Sequence, residues 1–157
     1  MYFKVILDTK SGKLMKKYPS KVVENLGGKG KALVATKNLF IGVIVEKFEG
    51  PIIKYANVPK DSICYAICVG EKEGDDKWVD SKTNAIRANH SCNPNCMVDD
   101  DLNIITIKRI KKGEELTFGY NLLNDGEKAS DFFWDDRWNF KCKCNSKNCQ
   151  KEIDKYV

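Results

Sequence analysis

The chain has seven cysteines and one histidine, and most of its capacity for chemistry lies in two short strings. The first, Asn89-His90-Ser91-Cys92-Asn93-Pro94-Asn95-Cys96, places an amide, an imidazole and two thiols side by side. The second is the triplet Cys142, Cys144 and Cys149, spaced C-x-C-x4-C. Closely spaced cysteines in odd number read as metal ligands in a reducing compartment more readily than as disulfides. A closed structural zinc site needs four ligands in a tetrahedron, so three thiolates require one more from elsewhere. Cys92 is the natural candidate. The alternative makes Cys96 the fourth ligand and Cys92 a small buried residue. Cys64 and Cys68, in SICYAICVG, are expected in the core.

The elements that must position these groups are short. At 157 residues and 42% hydrophobic content the chain is sized for one domain with its own core. Runs at 2–7, 32–39, 43–53 and 103–110 are rich in β-branched residues and separated by glycine, proline or Asp/Asn clusters, the pattern of many short strands joined by tight turns. No long amphipathic helix emerges, although 126–138 has room for a helical turn. The tail after residue 124 is aromatic and then cysteine-rich, and a metal would supply the folding energy that so short a module lacks. The start of the chain has no unbroken apolar stretch of the kind a signal peptide or membrane span requires, so an intracellular protein with no membrane partner is expected. The net charge of +5 comes from scattered lysines, which gives direct nucleic-acid binding little support.

Four segments occur in a fixed order: GGKGKALVAT at 27–36, NHSCNPNC at 89–96, KKGEELTFGYN at 111–121 and FKCKCNSKNC at 140–149. This combination resembles the SET-domain protein lysine methyltransferases with a post-SET zinc module, and NHSC-x-PN together with E-L-T-F-x-Y is specific to them. The resemblance implies a mainly β fold of small curved sheets with a pseudoknot, plus a zinc-stapled tail. It divides the chain into an extension at 1–26 packed on the domain, a SET catalytic domain at 27–124 and a post-SET module at 125–157. It also implies S-adenosylmethionine as methyl donor and Zn2+ held by Cys92, Cys142, Cys144 and Cys149.

By matching position, the glycine turn Gly28-Lys29-Gly30-Lys31-Ala32 would meet the cofactor through its backbone, where a side chain would obstruct it. The family's second glycine is Ala32 here, while a literal G-x-G stands at Gly28 to Gly30. Asn89 and His90 would hold the cofactor, and Phe140 and Ile153 match positions that pack on its edge. Tyr120 takes the catalytic position. An acceptor amine must be neutral to attack, although free lysine has a pKa of about 10.4. An apolar channel beside a positive sulfonium disfavours the ammonium, so a hydroxyl and backbone carbonyls that align the amine suffice without a dedicated base. Phe118 occupies the family's switch position, where phenylalanine leaves more room than tyrosine and favours di- or trimethylation. Phe48 stands in the channel where relatives often have tyrosine, Gly119 replaces a common aspartate, and Arg87 lies two residues before Asn89 instead of three. Trp134 and Trp138 are candidates to wall the channel.

A histone tail is the implied substrate class, with a nuclear or chromatin setting following from it. Asp99 to Asp101 and the pair Asp135 and Asp136 could attract such a basic tail at the channel mouth, against the simpler reading of solvated turns. The reading adopted is an active lysine methyltransferase. Its competitors are a catalytically silent zinc-dependent module binding peptide or chromatin through the same groove, and a nucleic-acid-binding zinc protein using the lysines interleaved with the triplet.

Overall fold

The computed structural model describes residues 6–7, 14–15, 18–24, 30–69, 75–120 and 135–154. Their architecture is a set of small, mostly antiparallel sheets linked by turns and 3-10 helices. Strands β1 (Ile6–Leu7) and β2 (Leu14–Met15) pair with each other. Strand β3 (Ser20–Glu24) pairs with β4 (Lys31–Ala35) in full register, Ser20 opposite Ala35 and Glu24 opposite Lys31.

The four-residue run Ala32 to Ala35 is buried throughout and does not alternate. The strand is also paired on both edges. On the side away from β3, Leu116 N donates to Leu33 O at 2.8 Å and Ala35 N to Glu114 O at 3.0 Å, so β4 is central. A strand covered on both faces reads as a continuous apolar run. Strand β5 (Ile44–Lys47) carries Val45 into the same core, and Gly50 soon follows it. A Cβ on Gly50 would come 2.0 Å from the backbone oxygen of Asp80, so only glycine fits there.

Residues 52–69 and 75–79 build a second layer. Strands β6 (Ile52–Ile53) and β7 (Ile67–Cys68) flank β8 (Trp78–Val79), with 3-10 turns at Tyr55–Asn57 and Lys60–Ser62 between them. Val58, Ile63 and Trp78 form a small core there, with Trp138 packed against it.

The 3-10 turn Asn84–Arg87 is capped by Thr83, whose hydroxyl donates to Lys47 O at 2.5 Å and accepts from Ala85 N at 3.3 Å. That cap turns Ala85 and Ala88 into the main core with Leu33, Val45, Ile104, Ile110 and Leu116, and so delivers the chain into β9 (Asn89–His90). Strands β10 (Cys96–Val98) and β11 (Asn103–Thr106) form a hairpin that joins β5. Asp99 accepts from Asn103 N at 2.8 Å across its turn, which holds Leu102 at positive φ. After the hairpin the chain returns as β12 (Thr117–Phe118), parallel to β9 with Thr117 opposite Asn89 and Phe118 opposite His90. A parallel pair cannot be joined by a tight turn. The whole hairpin is the crossover between them.

The cysteine segment enters through a 3-10 turn, Asp136–Trp138, then β13 (Phe140–Lys141) and β14 (Glu152–Ile153). The turn falls where a helical turn was expected, while Trp134 and the preceding stretch lie outside the described residues. Among the described residues no helix is long and apolar enough to cross a membrane.

Candidate active site and thiolate cluster

The short parallel pair places two consecutive polar residues with defined orientation. Asn89 donates one amide hydrogen to Lys31 O at 3.2 Å and the other to Glu115 Oε1 at 2.8 Å. Both partners are acceptors, which fixes the amide flip and leaves Oδ1 as the group of Asn89 open to a ligand. His90 Nδ1 accepts from the backbone N of Tyr120 at 3.1 Å, and its Nε2 lies 3.2 Å from Cys92 Sγ. Burial lowers the pKa of His90, so the neutral ring with its proton on Nε2 is the form that satisfies both contacts.

Tyr120 leaves 40% of its surface exposed, yet its hydroxyl points inward and donates to Ala88 O at 2.7 Å. Burial, reinforced by the charges of Tyr65 and Glu115, pushes this phenol well above its ordinary range, so it is a hydrogen-bond donor and not a phenolate at neutral pH. Aromatic rings continue from it in both directions. Phe118 lies 4.9 Å from Tyr120 and 5.8 Å from Phe48, while Phe140 lies 5.9 Å from Tyr120 and 5.6 Å from His90. Asn89, His90, Phe48, Phe118, Tyr120 and Phe140 line one cavity of about 1000 Å³. Six residues picked from distant segments therefore converge on one space.

The remaining sequence expectations divide. Gly30 has φ +80° with open space around it, Lys31 offers its carbonyl to Asn89, and Ala32 is fully buried in β4. Gly28 and Lys29 lie outside the described residues. Ile153 and Trp138 line the cavity. Cys64 and Cys68 do not belong to the core: both are exposed and both line the cavity. Cys64 lies in a turn and Cys68 on the edge strand β7, and the general tendency of cysteine to be buried carries no information about which side of either meets solvent. Neither acidic cluster lines the cavity, where the described charged residues are Arg137, Lys141 and Lys143 besides the neutral His90. Asp99 is committed to its turn. Asp135 accepts from Tyr55 Oη at 2.7 Å and pairs with Arg137, and this holds its carboxyl well below the usual range.

Three supporting groups escape a reading of the sequence. Glu115 orients Asn89. Asn95 donates to Glu115 O at 2.8 Å and accepts from Thr117 N at 2.9 Å, lacing the 92–96 loop to β12 as a backbone would. The Ala88 carbonyl anchors Tyr120. Asn95, inside the NPN of the first string, and Glu115, the first residue of E-L-T-F-x-Y, left a visible signal, whereas Ala88 did not.

The Sγ atoms of Cys92, Cys142, Cys144 and Cys149 all lie within 4.8 Å of one another, with Cys92 and Cys142 3.7 Å apart. Four thiolates at Zn–S distances near 2.3 Å stand about 3.8 Å apart in a tetrahedron, so the set fits zinc. Cys96 is fully buried in the core with its thiol pushed up to about 12 by burial, which removes the alternative ligand set. Burial opposes ionisation of Cys144 as well, but the Ser146 hydroxyl, backbone N–H groups and Cys142 outweigh it and bring this thiol down to about 5. The β13–β14 hairpin presents the ligands. Cys142 N donates to Lys151 O at 2.7 Å, and Asn145 and Lys151 take positive φ at its bends.

Comparison with known proteins adds the decisive observation: the model of the SET domain family matches residues 30–121. The chain belongs to the SET-domain family. Histone-lysine N-methyltransferase trithorax of Drosophila virilis is 32% identical over 139 residues, which cover 80% of this chain and 3% of that protein. Histone-lysine N-methyltransferase 2D of Homo sapiens is 39% identical over 70 residues, 40% of this chain and 1% of that protein. This SET-domain chain thus spans only a few per cent of the length of these relatives. A solved structure titled KRYPTONITE in complex with mCHH DNA, H3(1-15) peptide and SAH matches with a TM-score of 0.61 at 22% identity, covering 89% of this chain and 30% of that one. At that identity the likeness is one of fold.

Proposed function

We propose that this SET domain transfers methyl groups from S-adenosylmethionine to a lysine side chain of a protein, that it adds two or three of them, and that its substrate is a histone tail in a nuclear or chromatin setting. The observation that carries the reading is the Tyr120 hydroxyl, fixed on the Ala88 carbonyl, standing among Phe48 and Phe118 in the same cavity as Asn89 and His90. The named relatives are histone-lysine methyltransferases, which supports the substrate class. The cofactor, when bound, supplies an electrophilic methyl group on a sulfonium.

The chain's own residues then have separate tasks. Asn89 Oδ1, His90, Phe140 and the backbone of the glycine turn hold the cofactor, with Lys31 and Glu115 keeping the Asn89 amide in one orientation. Phe48 and Phe118 wall the acceptor side chain, and neither has a hydroxyl to hold a water there, so added methyl groups find room. Tyr120 and the Ala88 carbonyl align the amine for in-line attack. The described cationic lining, Arg137, Lys141 and Lys143, disfavours an ammonium in the cavity, so the incoming lysine gives up its proton to solvent without a dedicated base. The four thiolates would hold one zinc ion, which fastens the β13–β14 hairpin and hence Phe140 beside His90.

Mass spectrometry of core histones and of an unfractionated protein extract, each incubated with the zinc-loaded protein and S-adenosylmethionine, tests this beside a Tyr120→Phe control. Di- or trimethyllysine that the control loses is the expected result. Monomethyllysine alone would overturn the role given to Phe118. Bound cofactor with no methylation would establish the silent binding module instead.

A further inference from the structure

Residues 37–42 and 106–112, distant in sequence, run side by side, and none of them lines the cavity. Leu39 and Ile110 exchange N–H···O bonds of 2.8 and 3.0 Å, Gly42 N donates to Thr106 O at 2.8 Å, and Lys112 N donates to Asn38 Oδ1 at 2.9 Å. The buried Thr106 hydroxyl donates to Phe40 O at 2.6 Å and accepts from Val43 N at 2.9 Å. The turn tip between these bonds is therefore held in shape. On that tip Phe40 and Ile41 are each 66% exposed, and Ile107 beside them is 38% exposed.

The surroundings are cationic. Lys37, Lys108, Arg109, Lys111 and Lys112 are all exposed on the two segments, and Glu114 is the nearest acid in the sequence. Among the described residues no carboxylate forms an ion pair with the side chain of any of the five, and the Glu114 carboxylate accepts from the backbone N of Lys111 at 2.8 Å; Lys108 Nζ donates to Asn93 Oδ1 at 2.5 Å. Scattered exposed apolar residues are ordinary. An aromatic and an isoleucine fixed at adjacent positions on a braced turn and ringed by charge of one sign match the anchor-and-rim anatomy of a protein interface.

We propose that this tip docks an acidic segment of a protein partner, whose apolar side chain packs on Phe40 and Ile41 while its carboxylates meet the surrounding lysines and Arg109. Phosphates would also answer the cations, but the guanidinium of Arg109 already covers one face of the Phe40 ring at 5.6 Å and Ile41 has no π face, so base stacking has little to work with. The apolar pair suits a side chain. Charge complementarity of this kind raises the encounter rate and makes binding sensitive to salt.

A library of random displayed 12-residue peptides, selected on the full zinc-loaded chain and counter-selected on a Phe40→Ser/Arg109→Glu variant, tests this whatever the partner's identity. Counter-selection removes peptides that enter the cavity. Recovered peptides are expected to combine several Asp or Glu with a large apolar residue, and their synthetic forms to bind about 10-fold more weakly to either single variant and more weakly again at high salt. Circular dichroism melts of both variants confirm that these surface changes leave the fold intact. The proposal is overturned if no peptide survives counter-selection, if the survivors are uncharged or basic, or if a mixed-sequence single-stranded or duplex DNA of about 20 nucleotides binds the tip more tightly than they do, which would make it a nucleic-acid surface.

Discussion

Replacing Thr106 by valine isolates one buried hydroxyl, because the side-chain shape is kept while its hydrogen bonds go. Thr106 is 1% exposed and its oxygen serves two backbone groups, accepting from Val43 N at 2.9 Å and donating to Phe40 O at 2.6 Å. In the valine variant Val43 N–H has no alternative partner of its own strand, and an unsatisfied backbone donor costs about 1–3 kcal/mol. The Phe40 carbonyl belongs to an exposed residue and can turn to water, so its loss adds little. The sum is about 2 kcal/mol, which for a domain of this size lowers the melting temperature by about 4–8 °C. Thr106→Ser reverses the chemistry: it keeps the hydroxyl and removes one buried methyl, worth about 1 kcal/mol with its cavity. Thermal unfolding of the zinc-loaded protein should therefore rank the threonine parent above serine and serine above valine. Hydrogen exchange at Val43 should quicken in the valine variant alone. A valine variant as stable as the parent, or more stable than the serine one, would refute the assignment of this hydroxyl as a structural bridge.

Other perturbations separate the parts of the site. Tyr120→Phe loses the hydrogen bond to Ala88 O and should lower the rate of methyl transfer at least ~100-fold while cofactor affinity, read by calorimetry, stays within ~3-fold. Glu115→Ala frees the Asn89 amide to rotate and should weaken cofactor binding about 10-fold, whereas Glu115→Gln, which can still accept, should cost much less. Cys92→Ser should abolish stoichiometric zinc by metal analysis, and Cys96→Ser should retain it, since only the former thiol stands in the cluster. Because the Asp135 carboxyl is depressed, its contact with Tyr55 and Arg137 is present above the ordinary aspartate value near ~3.9 and is lost only as pH falls through its lower folded value. The Asp135 carboxylate carbon signal should accordingly stay constant between about pH 5 and pH 3.

What could be read from the chain alone was the part dictated by chemistry. Thiolates at C-x-C-x4-C need a cation and one more ligand, and Asn89, His90 and Tyr120 lie inside strings whose residue types have few other uses together. The strand character of residues 32–35 was also legible, but its central place was not, because that depends on residues 113–116 arriving as a second neighbour. Cys64 and Cys68 were misplaced in the core for the same kind of reason: which side of a turn or a short edge strand meets solvent is settled by what packs on it, and Trp138 comes from a distant segment. Glu115 and Asn95 lie inside the quoted strings but carry no mark of their partners, and Thr106 carries no local mark at all. Their importance lies in long-range hydrogen bonds, which composition and spacing do not encode.

The parallel pairing of β9 with β12 has a bearing on how the molecule comes into being. The groups that line the cavity come from residues 48, 63–68, 78, 85–90, 97–98, 118–120, 137–144 and 153, so no portion of the nascent chain short of the last of these holds a complete site. Long-range pairing must be formed before it is rewarded, which slows folding and leaves apolar edges open meanwhile. During synthesis β4 waits for its second neighbour, and Cys92 waits some fifty residues for the thiols that join it. Assembly of the four-thiol cluster is therefore a late event in the birth of this domain.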